Sequence, residues 1–201
     1  MTIEVKNSVK PVDYVNSINM LEKRVNDVLK GKKDELLWIL EHQTVYTGGT
    51  SSNTRDLLNK NIKIIKTNRG GKYTVHSPGQ KIVYFVLNLN NRKKDIRILI
   101  NKIENCIINI LNQYGITSRS DKKNIGIWVR DKKISAIGIR VRRWVAYHGF
   151  SINVSNDLKK YEKIIPCGIK DKGITSLKDL GVSDYNNINK IIIKEFLNIF
   201  S

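Results

Sequence analysis

Two cysteines, Cys106 and Cys167, are all that the chain contains. That number cannot build a disulfide framework, and neither belongs to a CxxC pair, so an oxidised secreted scaffold and structural zinc are disfavoured. Only three prolines punctuate the 201 residues. No Pro/Ser/Gly-rich linker or internal repeat divides them, which predicts one domain over residues 1–201. No apolar run reaches the roughly 18 residues needed to span a bilayer. The opening MTIEVKNSVKPVDY holds no continuous apolar stretch of the kind a signal peptide needs. A soluble, cytoplasmic protein without a membrane partner is the expectation. Histidine is equally scarce. His42, His76 and His148 are scattered, with no HExxH spacing and no clustered carboxylates, so no metal site is expected.

Acidic residues are few as well: 18 Asp and Glu stand against 36 Lys and Arg, a formal net charge of +18. Such a balance suits nucleic acid, an acidic protein partner, or a solvated surface with no partner at all. Lysine is spread along the whole chain among abundant Ile and Asn rather than gathered in a patch. No helix-turn-helix, finger or RNP-type aromatic motif interrupts it, so charge alone does not choose among the three.

What is present is apolar patterning. Hydrophobic residues make up 40% of the chain, enough for a core. Val15, Ile18, Leu21, Val25 and Val28 recur at helical spacing and predict a helix over 11–30, entered at Pro11 and stopped at Gly31. The apolar run 36–40, with Trp38, reads as a buried strand. IKIIKT (62–67) and KIVYFVLNL (81–89) read as strands from their β-branched and aromatic residues. Ile96, Leu99, Ile100, Ile103, Cys106, Ile107, Ile110 and Leu111 form one continuous face and predict a helix over 95–114, ended by Gly115. Residues 124–154 read as successive strands with a turn at Asp131-Lys132. A last helix is expected over roughly 184–200. The fold class is therefore α/β (α+β), with a mixed, largely antiparallel sheet flanked by helices.

Chemistry has few candidates. Cys106 lies on the apolar stripe of a helix and reads as a small buried hydrophobe. Cys167, in IIPCGI, sits between Pro166 and Gly168. A backbone turn there suits either a presented thiol or an ordinary loop cysteine. The glycine-rich stretch Arg69–Gln80 reads as a link between two strands whose glycines let backbone approach a ligand. It is not a Walker A loop: Lys66 stands where the first glycine belongs, and Tyr73 follows Gly-Lys where Ser or Thr is needed. Nor does it open a helix as GxGxxG does. Lys133 begins the strand KISAIGIRV, and by spacing alone it is one cation among 36.

Taken together, EHQTVYTGG (41–49), RGGKYTVHSPGQ (69–80), GIWV (126–129), KISAIGIRVRRWVAYHGFSINV (133–154) and PCGI (166–169) resemble the octanoyltransferases of lipoate biosynthesis. The blocks lie in order and span most of residues 41–169. Ser77 departs from the glycine that commonly stands between the histidine and the proline. The resemblance implies a fold similar to the catalytic domain of biotin protein ligases and lipoate-protein ligases. It also implies transfer of an octanoyl group from octanoyl-acyl carrier protein to a lysine of lipoyl domains or of the glycine-cleavage H protein.

Carried over by motif, Cys167 is the acyl-accepting nucleophile and Lys133 the neighbour that activates it. Arg69, Gly70, Gly71, Lys72, Tyr73, Thr74, Val75, His76, Ala136, Ile137, Gly138, Gly149, Phe150 and Ser151 would contact substrate. No cofactor is implied, since exchange between thioesters followed by amide formation runs downhill without ATP, and a monomer is expected. Two competing readings are an ATP-dependent lipoate or biotin ligase of the same fold and, from another class, a basic RNA-binding protein. The first gives Cys167 no task; the second leaves the RGG–H–PGQ and PCGI blocks without one.

Overall fold

The structure is a computed structural model that describes residues 2–165 and 173–201. The chain begins with strand β1 (Ile3–Asn7) and helix α1 (Tyr14–Leu29), followed by β2 (Glu35–Leu40), β3 (Val45–Gly48), β4 (Ile64–Lys66), β5 (Tyr73–His76) and β6 (Gln80–Asn88). Then come α2 (Ile96–Asn112), β7 (Arg119–Ser120), β8 (Ile127–Val129), β9 (Lys132–Arg142), β10 (Val145–Asn153), β11 (Gly173–Ile174) and α3 (Ile188–Phe200). The main sheet has the order β1-β2-β6-β10-β9-β8-β7, with β11 also pairing β9. Its pairs are antiparallel except β1 with β2 and β9 with β11. A small second sheet has the order β4-β3-β5.

Strands β2 and β6 are buried on both faces, which explains their nearly unbroken apolar runs. Leu37, Ile39, Val83, Phe85 and Leu87 pack under α2 and α3, whose Ile103, Ile107, Ile110 and Phe196 fill that face. The Phe85 and Phe196 rings lie 5.9 Å apart. Leu36, Trp38, Leu40, Ile82 and Tyr84 face the opposite way and meet Leu21, Val25 and Val28 of α1. Cys106 is fully buried on the α2 stripe, and burial pushes its thiol up to about 12, so it stays protonated.

Several boundaries differ from the sequence expectation. Helix α1 starts at Tyr14 rather than Pro11, because the Asp13 carboxylate caps it through the Asn16 N–H at 2.9 Å. Val12 is instead held in extended pairing, its N–H donating to the Glu41 carbonyl at 2.8 Å. Helix α3 starts at Ile188 rather than 184. The stretch 69–80 is more than a link: it contains β5, paired antiparallel with β3. Strands β1, β3 and β11, short and outside the strongest apolar runs, carried no sequence signal. Among the described residues, no helix is long and apolar enough to cross a membrane.

Candidate active site

The small sheet covers one end of the α1-side face, leaving a cleft of about 550 Å³. One wall comes from Arg69, Gly71, Lys72, Tyr73, Thr74 and His76. The floor comes from Ala136, Ile137 and Gly138 on β9, and Gly149, Phe150 and Ser151 on β10. Of the other residues expected to contact substrate, Gly70 donates its N–H to the Ile139 carbonyl at 3.1 Å. Val75 packs beneath the small sheet with Tyr46, Tyr161 and Ile164. Neither lines the cleft. Tyr14, Ile82, Tyr84 and His148 also line it, and spacing gave no reason to group them.

The wall is built by one buried arginine. Arg69 donates to the carbonyls of Gly70, Thr47 and Lys72 at 3.0, 3.2 and 3.0 Å, and to the Thr47 hydroxyl at 2.8 Å. A guanidinium has enough donors in one plane to tie these strands together. At the far end of β5, Ser77-Pro78-Gly79-Gln80 makes a tight turn, the Gln80 N–H reaching the Ser77 carbonyl at 3.1 Å. Pro78 suits the second position and Gly79 the third, where φ is +83°. The turn delivers Gln80 to the interior.

Three neutral imidazoles sit in and behind the cleft. The Val12 carbonyl can only accept, so His42 carries its proton on Nδ1 (2.7 Å) and receives the Tyr84 hydroxyl on Nε2 (2.9 Å). The Gln80 amide nitrogen donates to Asn153 and Tyr161, both at 2.8 Å, so its oxygen accepts from His76 Nδ1 at 2.7 Å. His76 Nε2 is then the nitrogen left for a ligand. His148 has φ +68° and lies against Tyr147, ring centroids 4.8 Å apart, with Nε2 donating to Asn68 at 2.7 Å. Burial holds His76 and His148 down at about 3, with Arg69 adding to both and His42 and Arg140 to one each. The backbone beside His148 tolerates only glycine: a Cβ on Gly149, where φ is +158°, would lie 1.9 Å from the Val83 carbonyl oxygen.

Lys133 occupies a second, smaller chamber of about 250 Å³ with Ser135, Asn153, Tyr161 and Ile174. Thr74, Ala136 and Ser151 line both chamber and cleft, so the two adjoin. Lys133 is only 4% exposed. Its Nζ donates to the Ile125 carbonyl at 3.0 Å and lies 4.8 Å from the Trp128 ring centroid. Gly126, at φ +136°, leaves room for it, since a Cβ there would stand 3.2 Å from Nζ. Strand β11 pairs Gly173 and Ile174 with Lys132 and Lys133, and Thr175 donates its N–H to the Lys133 carbonyl at 3.0 Å. Cys167 lies outside the described residues. Among those residues no group of acids, cysteines and histidines fit to hold a metal occurs.

The arrangement offers an apolar slot that leads to a buried cationic amine. The chain matches the family model described as "Lipoyl protein ligase A/B catalytic domain" over residues 13–197. It is 42% identical over 206 residues to an octanoyltransferase of Ehrlichia canis, covering 99% of this chain and 96% of that relative. Its fold is similar to that of a lipoate-protein ligase A solved with ATP, at a TM-score of 0.76 and 12% identity, covering 98% of this chain and 85% of the other. A biotin acetyl coenzyme A carboxylase synthetase from Helicobacter pylori has a TM-score of 0.55 at 14% identity, covering 98% of this chain and 72% of the other.

Proposed function

We infer the reaction from one premise: the chain belongs to the lipoyl protein ligase A/B catalytic-domain family and is an acyltransferase of the octanoyltransferase kind. On this reading it moves an octanoyl group from octanoyl-acyl carrier protein to a specific lysine of lipoyl domains and of the glycine-cleavage H protein. The observation that carries the reading is the buried Lys133 amine in a chamber contiguous with a mostly apolar cleft. Octanoyl is a plain hydrocarbon tail on a carbonyl. At roughly 0.8 kcal/mol per buried methylene, the cleft supplies several kcal/mol of binding to the tail. The carbonyl end belongs beside the amine.

Cys167 serves as the acyl carrier within the enzyme. A free thiol with its usual pKa of about 8.5 is mostly protonated at neutral pH, and the Lys133 ammonium favours the thiolate. The Cys167 sulfur attacks the donor carbonyl; a new C–S bond forms, the old one breaks, and the departing carrier thiolate takes a proton from Lys133. The neutral Lys133 amine then accepts a proton from the acceptor lysine as its nitrogen attacks the Cys167 thioester. The C–N bond forms, the C–S bond breaks and the thiolate is regenerated. The exchange between thioesters is nearly balanced, and amide formation pulls the sequence forward. His76 Nε2, unprotonated at pH 7, is available as an acceptor at the cleft wall. Arg69 through His76, Ala136 through Gly138 and Gly149 through Ser151 form or support the substrate site.

The net charge of +18 fits the same partner. An acidic carrier protein is drawn to a basic surface, and that attraction weakens as salt rises. Intact-mass measurement after mixing with octanoyl-carrier protein tests the reading. One octanoyl group on the wild-type chain and on Cys106→Ser, with none on Cys167→Ser, is the expected result. Product formed from free octanoate and ATP without carrier protein overturns it in favour of an adenylating ligase.

A further inference from the structure

Two cavities meet at one aromatic ring. The cleft has Tyr14 among its lining residues, and Tyr14 also borders a separate groove of about 760 Å³ that runs between α1 and the end of β4. Among the described residues no other lines both. On the groove side lie the apolar Val15 and Ile18 of α1 and Ile65 of β4, together with the polar Asn19, Glu22, Lys66, Thr67 and Asn68.

The ring is a fixed wall. Tyr14 is 4% exposed, lies 5.2 Å from the His42 ring and stacks at 6.1 Å on His76. Its backbone is the first residue of α1, tied by the Ser17 hydroxyl to its carbonyl at 2.6 Å.

The wall also stands at the proper end. Ala136, where the Lys133 chamber opens into the cleft, is two residues along β9 from Gly138, about 7 Å at strand rise. Gly138 is level with Gly149 and, through it, with Tyr84, which lines the cleft together with Tyr14 and His148. An acyl chain whose carbonyl sits beside Lys133 therefore points its tail toward Tyr14. Methylenes past the length of the cleft have nowhere apolar to go while the ring is in place, and the side chains of Val15, Ile18 and Ile65 to lie against once it is removed.

We propose that Tyr14 is the length-determining partition of the acyl site, closing the cleft against the α1–β4 groove so that chains longer than octanoyl are refused. The proposal rests on the octanoyl-transfer reading above and adds the residue that sets its specificity. The test is loading of Cys167 by carrier-protein thioesters of octanoate, decanoate and dodecanoate, followed by intact mass. Tyr14→Ala should raise the dodecanoyl-to-octanoyl loading ratio at least tenfold, while Tyr14→Phe, which keeps the ring, should leave it unchanged.

Val15→Trp refills the groove from its exposed side. Added to Tyr14→Ala it should reverse the gain, and alone it should leave octanoyl loading as in the wild type. Tyr14→Leu should show a smaller gain of the same sign and decides the matter if the alanine variant does not fold. A folded Ala or Leu variant whose ratio stays within twofold of the wild type overturns the partition. A wild-type chain that takes no acyl group on Cys167 instead defeats the reaction reading. The partition is then judged by direct binding of octanoic and dodecanoic acids to the same variants, with the same ratios expected.

Discussion

The main sheet has two faces made of different materials. Under α2 and α3, Phe85, Leu87, Ile103, Ile107, Ile110 and Phe196 meet in a cluster built from hydrocarbon. On the other face the apolar cluster of Leu21, Val25, Leu36 and Trp38 under α1 gives way, beside the small sheet, to crowded buried polar groups: His42, His76, Gln80, His148, Ser151 and Asn153. The first face needs volume and little else, because dispersion and apolar burial are not directional. The second must match donors to acceptors one by one, since an unmatched buried polar group costs about 1–3 kcal/mol. Packing holds the molecule together on one side, and hydrogen bonding fixes an arrangement on the other. Substitutions should therefore separate stability from turnover according to the face they touch.

The largest effect is expected at Lys133, which lies on the polar side. Lys133→Met keeps much of the volume while removing the amine, and turnover per folded molecule should fall by about 10²–10⁴-fold. Single-turnover measurement should find both loading and discharge slowed. Equal rates for the variant and the wild type would remove Lys133 from the chemistry.

On the apolar face the outcome inverts. Phe196→Ala should cost about 3–5 kcal/mol of stability, measured by urea unfolding, with turnover of the folded fraction unchanged. Between these extremes stands Gln80→Leu. It leaves His76 Nδ1–H without its acceptor and takes one donor from Asn153 and from Tyr161, which keep their bond to each other at 3.2 Å. A loss of about 1–3 kcal/mol is expected, together with lower turnover, because the tautomer of His76 is no longer set. If Gln80→Leu lowers stability alone, the hydrogen-bonded face is scaffolding in the same sense as the apolar one.

The same division governed what could be seen in the sequence. The stripe from Leu99 to Leu111 announced α2 because helical periodicity is the direct imprint of one buried face. The strands β6, β9 and β10 were equally visible. The polar face was not, because its order comes from contacts between distant segments. Lys133 is buried because Gly126, Trp128 and the Ile125 carbonyl surround it. Nothing local to Lys133 says so. His148 enters the cleft through a left-handed backbone angle rather than through strand alternation, and Tyr14 gets there by standing first in its helix. Only the family resemblance of whole blocks pointed to Arg69–His76, Ala136–Gly138 and Gly149–Ser151 as one group. It also gave Cys167 its proposed role, at a position outside the described residues.

The smallest predicted effect sharpens the comparison most, because it marks one face with a pH signature. His76 and His148 are held at about 3 chiefly by burial, while an unfolded chain has them near 6.5. Their neutrality adds nothing to the pH dependence of stability above pH 6.5, where both states are unprotonated. Below it the unfolded chain binds protons that the folded chain refuses, so unfolding becomes easier as pH falls. Each histidine contributes a slope of up to about 1.4 kcal/mol per pH unit between 6.5 and 3. His42, also lowered by burial, acts in the same direction. Carboxylates held low, such as Glu4 beside Arg24, lose their contribution only nearer pH 4 and below. The imidazoles therefore dominate the interval from pH 6.5 to 4.5, opposed by Glu104, whose carboxyl is pushed up by burial. Unfolding free energies at pH 7, 6 and 5 should fall less steeply for His148→Gln than for the wild type. Phe196→Ala should only shift the whole curve downward in parallel, since it removes hydrocarbon and no titrating group. Parallel curves for both variants would mean that the cleft side of the sheet does not keep its histidine neutral.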